Sequence, residues 1–140
     1  LKADGTVVCW GANFQGQLGD GTNTDANAPV AVSGLTGVVA LAAGSDHACA
    51  LKADGSAACW GDNLAGQLGD TTIVDKNTPV AVVGLSGAVA VNAGTNYTCA
   101  LKSDGSASCW GSNSSGRLGD GTTTDASSPV AVSGGAVYWK

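Results

Sequence analysis

Cys59-Trp60-Gly61-Asp62-Asn63-Leu64-Ala65-Gly66-Gln67-Leu68-Gly69-Asp70 decides the fold, because the chain repeats its frame three times. Cys9-Trp10-Gly11 opens the first copy and Cys109-Trp110-Gly111 the third, fifty residues to either side. Each copy continues Asn-x-x-Gly-x-Leu-Gly-Asp. It is preceded by Leu-Lys-x-Asp-Gly and followed by Pro-Val-Ala-Val. A period of this length signals a solenoid or propeller, in which one repeat cannot bury its apolar face without a neighbour. The expected division is a partial repeat over residues 1–37, full repeats over 38–87 and 88–137, and residues 138–140 as the end of an atypical last segment.

Working outward from that stretch, Val38 to Ala42 is a short β-branched apolar run ending before Gly44, which reads as a buried strand. His47 to Lys52 is a second strand and Ser56 to Trp60 a third, joined by Ala53-Asp54-Gly55. Such a three-residue loop is a type I turn whose glycine takes positive φ in a G1 bulge. That loop fixes the register. With Lys52 opposite Ser56, Cys49 falls opposite Cys59, and by the same count Cys99 falls opposite Cys109. Both pairs land on non-hydrogen-bonded positions, where Cβ atoms come near enough for a disulfide. Cys9 has its periodic partner two places before Leu1. Zinc is disfavoured, since its sites use closely spaced cysteine pairs. Cysteine pairs repeated in the second and third copies point to an oxidising location, extracellular, on the cell surface or periplasmic.

Pro79 is expected to open a fourth strand, Val80 to Val83, at the outer edge where proline is tolerated. Four strands per repeat, radially arranged, are the blades of a β-propeller. Composition agrees with an all-β chain. Of 140 residues 22 are glycine, methionine and glutamate are absent, and Lys and Arg number 6. Helix formers are scarce while turn and strand formers abound. A net charge of −5 with scattered basic residues argues against nucleic acid as a partner. No apolar run approaches the roughly 20 residues needed to span a bilayer.

The pattern His/Tyr-x-Cys-Ala-Leu-Lys-x-Asp-Gly-x-x-x-Cys-Trp-Gly-x-Asn-x-x-Gly-Gln/Arg-Leu-Gly-Asp, closing with Pro-Val-x-Val, resembles the regulator-of-chromosome-condensation repeat family across essentially the whole chain. The resemblance implies a β-propeller, commonly of seven blades, of which this chain is a segment. The cysteines flanking the hairpin make it more similar to bacterial extracellular members than to the nuclear exchange factor. Function in such proteins resides in variable positions, so the resemblance implies protein binding by a rigid disc and nothing more specific.

Several residue sets invite a chemical reading. His47 is the single histidine, and Tyr97 stands in its place one repeat later, which suits packing at a strand end better than catalysis. Ser45-Asp46-His47 has the letters of a triad, but neighbours in sequence cannot face one another as a triad requires. Asp20 to Asp25 and Asp120 to Asp125 are rich in hard oxygens, yet they lack the glycine and glutamate placement of a calcium loop, and Ile73 and Val74 interrupt the middle copy. Turn chemistry accounts for all three. Trp10, Trp60 and Trp110, with Leu18, Leu68 and Leu118, are expected to pack blade on blade rather than to form a sugar-binding row. Asn96-Tyr97-Thr98 and Asn113-Ser114-Ser115 are glycosylation sequons. Tyr138 and Trp139 break the repeat and are expected to cap the stack or dock on another subunit.

Variation among copies is the cue to a binding surface. It falls at Ala12, Asp62 and Ser112, at Phe14, Leu64 and Ser114, at Gln15, Ala65 and Ser115, and at Ser45-Asp46-His47 against Thr95-Asn96-Tyr97. The expected function is a non-catalytic protein- or glycan-binding scaffold without cofactor or metal. A structural repeat in an extracellular assembly is the alternative, and a propeller-based lyase or hydrolase is disfavoured. Its partners are a protein or glycan, other copies of the chain, or the rest of a longer parent.

Overall fold

The computed structural model describes residues 1–134, so Tyr138 and Trp139 lie outside the described residues. All regular structure among them is β. The chain runs β1 (Val8–Gly11), β2 (Ala26–Ala31), β3 (Val38–Ala43), β4 (His47–Lys52), β5 (Ala57–Gly61), β6 (Lys76–Ala81), β7 (Ala88–Ala93), β8 (Tyr97–Lys102), β9 (Ala107–Gly111) and β10 (Ala126–Ala131). These form a two-stranded sheet β1-β2 and two four-stranded antiparallel sheets, β3-β4-β5-β6 and β7-β8-β9-β10. Each four-stranded sheet is a propeller blade.

The hairpin register is the one the loop dictates. Lys52 N–H donates to the Ser56 carbonyl at 2.9 Å, Gly55 has φ +83°, and Leu51, Ala50 and Cys49 face Ala57, Ala58 and Cys59. Asp54 accepts from the Ser56 hydroxyl and from its backbone N–H, and these bonds hold its carboxyl below the usual range. The disulfides Cys49–Cys59 and Cys99–Cys109 each join Cα atoms 4.0 Å apart, the close approach of a non-hydrogen-bonded pair.

The outer strand differs from expectation at its start. β6 begins at Lys76 rather than at Pro79. Cys59 pairs with Val80 and Gly61 with Lys76, so Asn77, Thr78 and Pro79 bulge past Trp60. In a bulge on an edge strand, proline is not called on for a ladder N–H.

Packing is between sheets. β7 lies against β3 and β4 of the preceding sheet. One cluster joins Val7, Val32 and Leu35 of the first repeat to Ala50, Ala58 and Trp60 of the second. Another joins Leu68, Val82 and Leu85 of the second to Ala100 and Trp110 of the third. Two of the three core clusters are therefore seams in which one repeat depends on its neighbour for burial, while the third, Cys99, Cys109 and Leu118, lies within the third repeat.

Candidate functional site

The antiparallel order gives the blades two distinct ends. One end carries the tight hairpins Ala53-Asp54-Gly55 and Ser103-Asp104-Gly105. The other carries the β3–β4 and β7–β8 turns and the long loops from β1 to β2, β5 to β6 and β9 to β10. The candidate site is this loop end.

Each long loop is organised around one buried asparagine. The Asn63 side chain is 0% exposed. Its amide nitrogen lies 3.1 Å from Asp70 Oδ1, 3.0 Å from the Thr72 carbonyl, 3.2 Å from Thr72 Oγ1 and 3.0 Å from the Val74 carbonyl. Its Oδ1 accepts from Leu68 N–H, and its own N–H donates to Asp75 Oδ1. Asn13 and Asn113 do the same with Asp20, Thr22, Asp25 and with Asp120, Thr122, Asp125. The aspartates that invite a calcium reading are thus engaged by N–H and O–H donors. At Asp70 burial works against ionisation, but bonds from Thr72 and Asn63 outweigh it and lower the carboxyl pKa. The Asn113 sequon is spent in the same way, its side chain fully buried.

With its ends pinned, each loop holds its tips outward. Phe14 is 81% exposed and Leu64 69% exposed. Ile73 and Val74, which carried no site reading in the sequence, join them as exposed apolar side chains on the same loop. Their signal was available: the equivalent places hold Asn23-Thr24 and Thr123-Thr124.

The other candidates separate. Ser45 and Thr95 are exposed at turn tips, and Asp46, Asn96 and Tyr97 are half-buried. His47 is no surface residue: its ring is 2% exposed, packed over Gly44 in the seam with the third sheet. Its Nε2 lies 2.9 Å from Thr98 Oγ1, whose hydroxyl donates to the Gln67 carbonyl. Thr98 is then the acceptor, so Nε2 carries the proton and Nδ1 stays buried without a partner. Burial pushes the His47 pKa down to about 4, with Asp62 and Asp46 opposing. Ser45, Asp46 and His47 do not converge.

Trp60, Trp110 and Leu68 are fully buried in the seams, Leu118 is fully buried within the third repeat against Cys99 and Cys109, and Leu18 is nearly buried. Trp60 lies against Gly19 and Val32, and Trp110 against Gly69 and Val82. Trp10, at the corresponding place in the first repeat, is 62% exposed. Cys9 is unpaired and half-buried, and burial raises its thiol pKa.

Comparison with known proteins places this geometry. A family model described as the regulator of chromosome condensation (RCC1) repeat matches residues 4–51 and 54–101. A second model of the same description matches 38–67 and 88–117. No curated protein matches the chain. Among solved structures, human WBSCR16 superposes with a TM-score of 0.83 at 24% identity, over 95% of this chain and 34% of that one. Prp20p of Saccharomyces cerevisiae gives 0.78 at 24% identity, over 99% of this chain and 36% of that one. The yeast protein in complex with Kap60 gives 0.78 at 22% identity over the same shares. The chain thus spans about a third of the length of each structure it resembles. At these identities the likeness is one of fold. The family itself rests on the repeat matches, which cover more than half of the residues: the chain belongs to the regulator of chromosome condensation repeat family.

Proposed function

We propose that this chain is a segment of a non-catalytic, protein-binding β-propeller, working in an oxidising compartment and meeting its partner with the loop end of its blades. One observation carries the reading. Positions that recur in all copies, such as Asn63, Leu68 and Cys59, are buried, whereas Phe14, Leu64, Ile73 and Val74 break the repeat and point large apolar groups outward. Unsatisfied apolar groups on an otherwise satisfied scaffold mark interaction sites. The same end holds Asp20, Asp25, Asp46, Asp62, Asp70, Asp75, Asp120 and Asp125 against Lys76 and Arg117, a polarity that favours a positively charged partner surface. Structures of similar fold support a binding role: Prp20p is described by its binding to Gsp1p and histones, and also in complex with Kap60. A sugar-binding tryptophan row is disfavoured, because Trp60 and Trp110 are sealed in seams.

The test is site-specific photo-crosslinking in the native source. Probes at positions 14 and 64 are expected to capture one partner that probes at Thr36 and Ser86, exposed at the hairpin end, do not. Replacing Phe14→Ser, Leu64→Ser, Ile73→Thr and Val74→Thr together installs residues found at those places in the third copy, and should abolish capture with the fold intact. Crosslinks from positions 36 and 86 instead would overturn the assignment of the face. Thiol labelling of freshly extracted protein checks the compartment. Full labelling of Cys49, Cys59, Cys99 and Cys109 before reduction would remove that part of the reading.

A further inference from the structure

His47 is a buried base at the joint between two repeats. Gly44 has no side chain, so the turn before β4 lets the ring fold over it, and the Gly94 carbonyl of the third repeat lies against the same glycine. Nε2–H donates to Thr98 Oγ1 at 2.9 Å, and the Thr98 hydroxyl donates in turn to the Gln67 carbonyl at 2.9 Å. His47, Thr98 and Gln67 are all buried. The third repeat is thus held to the second at both ends of one hydroxyl. The first seam has no hydroxyl for such a latch, since Ala48 holds the place of Thr98.

The latch works with one proton on the ring and not with two. A second proton sets a full charge and a new N–H at Nδ1, which is buried without a hydrogen-bond partner. Asp62 and Asp46 are the charged groups that act on the ring, both from its own repeat. Both are already engaged. Asp62 accepts from Leu64 N–H at 3.2 Å and from the Gln67 side chain at 2.8 Å, and Asp46 accepts from the Gln17 side chain at 3.4 Å. The third sheet brings up Thr98 and the Gly94 carbonyl, and neither titrates. Burial outweighs the two carboxylates, so in the closed seam the ring takes its second proton only at about pH 4. Water satisfies the charged ring far better, and reaching water means parting the β3–β4 turn from β8.

We propose that His47 is an acid-operated latch: charging its ring releases Thr98 and opens the loop end of the seam between the second and third repeats, while the seam between the first and second stays closed. The opened form carries one more proton than the closed form between pH 6.5 and about pH 4. Its population therefore rises about tenfold for each pH unit lost in that window, roughly 300-fold across it. Above pH 6.5 neither form holds the extra proton, and opening is independent of pH. The latch lies between two repeats of the chain and needs no ligand, so it stands apart from the partner-binding reading.

Two matched backbone bonds report on the seams separately. Thr71 N–H donates to the Ser127 carbonyl across the second, and Gly21 N–H donates to the Asn77 carbonyl across the first, each at 2.8 Å. Amide hydrogen exchange on the full 140-residue chain, expressed as protection relative to the intrinsic rate at each pH, follows both. Protection at Thr71 is expected to be level above pH 6.5 and to fall about tenfold per unit below it, while Gly21 stays level. His47→Gln keeps a side-chain N–H for Thr98 but takes no proton. With its fold confirmed by circular dichroism, it is expected to hold Thr71 level throughout. Protection at Thr71 that ignores pH would overturn the proposal. So would an equal fall at Gly21, which would mean that the chain unfolds as a whole, or an undiminished fall in His47→Gln. The first two outcomes are read on the wild type, so they decide the matter even where the variant does not fold.

Discussion

In the seam between the first and second sheets, Trp60 Nε1–H donates to the Gln17 carbonyl, and the Gln17 side chain reaches Asp46 Oδ1 at 3.4 Å. In the seam between the second and third, Trp110 fills an equivalent socket but its Nε1 has no partner. The carbonyl it needs, that of Gln67, is taken at 2.9 Å by the Thr98 hydroxyl. The Gln67 side chain turns back to Asp62 of its own repeat at 2.8 Å. Two substitutions underlie the difference: the place of Thr98 is held by Ala48 a repeat earlier, and the place of Asp62 by Ala12. Shape is therefore shared by the seams while polar wiring is local. The apolar fit tolerates one orphaned indole N–H, whose burial costs about 1–3 kcal/mol.

The largest expected effect tests the shared part. Trp60→Ala and Trp110→Ala should each cost about 3–5 kcal/mol in chemical denaturation. Trp10→Ala should change stability by less than about 0.5 kcal/mol at low protein concentration. A comparable loss at all three would mean that burial in the seams is not what distinguishes them.

Next comes pH. His47 belongs to the second seam, and its folded pKa of about 4 lies below the unfolded value of 6.5. Between those values the unfolded chain binds the extra proton, so the stabilisation is whole above pH 6.5 and is lost as pH falls towards 4. The size is on the order of 3 kcal/mol. Carboxyls held low by hydrogen bonds, such as Asp54 and Asp104, contribute at lower pH. His47→Tyr, the residue of the next copy, should flatten denaturation midpoints across that window. An unchanged slope would remove His47 from the seam.

A finer experiment separates the wiring. Trp60→Phe leaves the Gln17 carbonyl without its donor and should cost about 1–2 kcal/mol more than Trp110→Phe, which deletes a group already unpaired. In a Thr98→Ala background Trp110 gains access to Gln67, and the penalty for Trp110→Phe should rise to match. Additivity in that double-mutant cycle would refute the competition.

The smallest effect concerns Thr71, whose N–H bridges the second seam as Gly21 bridges the first. Thr71 is the one non-glycine residue with positive φ among those described, at +74°. A β-branched residue there is strained by about 1–2 kcal/mol, part of which glycine returns as chain entropy. Thr71→Gly should raise stability by about 0.5–1 kcal/mol.

The hairpins were legible from sequence because loop length alone sets register, and both disulfides follow from that count. The start of β6 was not, because a bulge can absorb a proline that sequence rules treat as a boundary. The asparagine hub was visible only as an invariant letter. Its acceptors lie seven, nine and eleven residues downstream, a spacing with no secondary-structure period to betray it. His47 matches Tyr97 in the repeat, and its place after a turn puts it among the surface candidates of the sequence, yet it is buried. What buries it is the next sheet, which no local pattern announces.

The hub has a consequence for the chain's chemical lifetime. Deamidation of Asn63 would exchange one NH2 for one oxygen, a change of almost no volume. It would set a carboxylate among four oxygens that now share amide protons. The loop would be expelled rather than adjusted, and Leu68, hung on the same side chain, would lose its anchor. Yet the reaction requires the next backbone nitrogen to swing onto the side-chain carbon, and full burial of the amide denies it that swing. The amide on which each loop hangs is thus shielded for as long as the fold that depends on it persists.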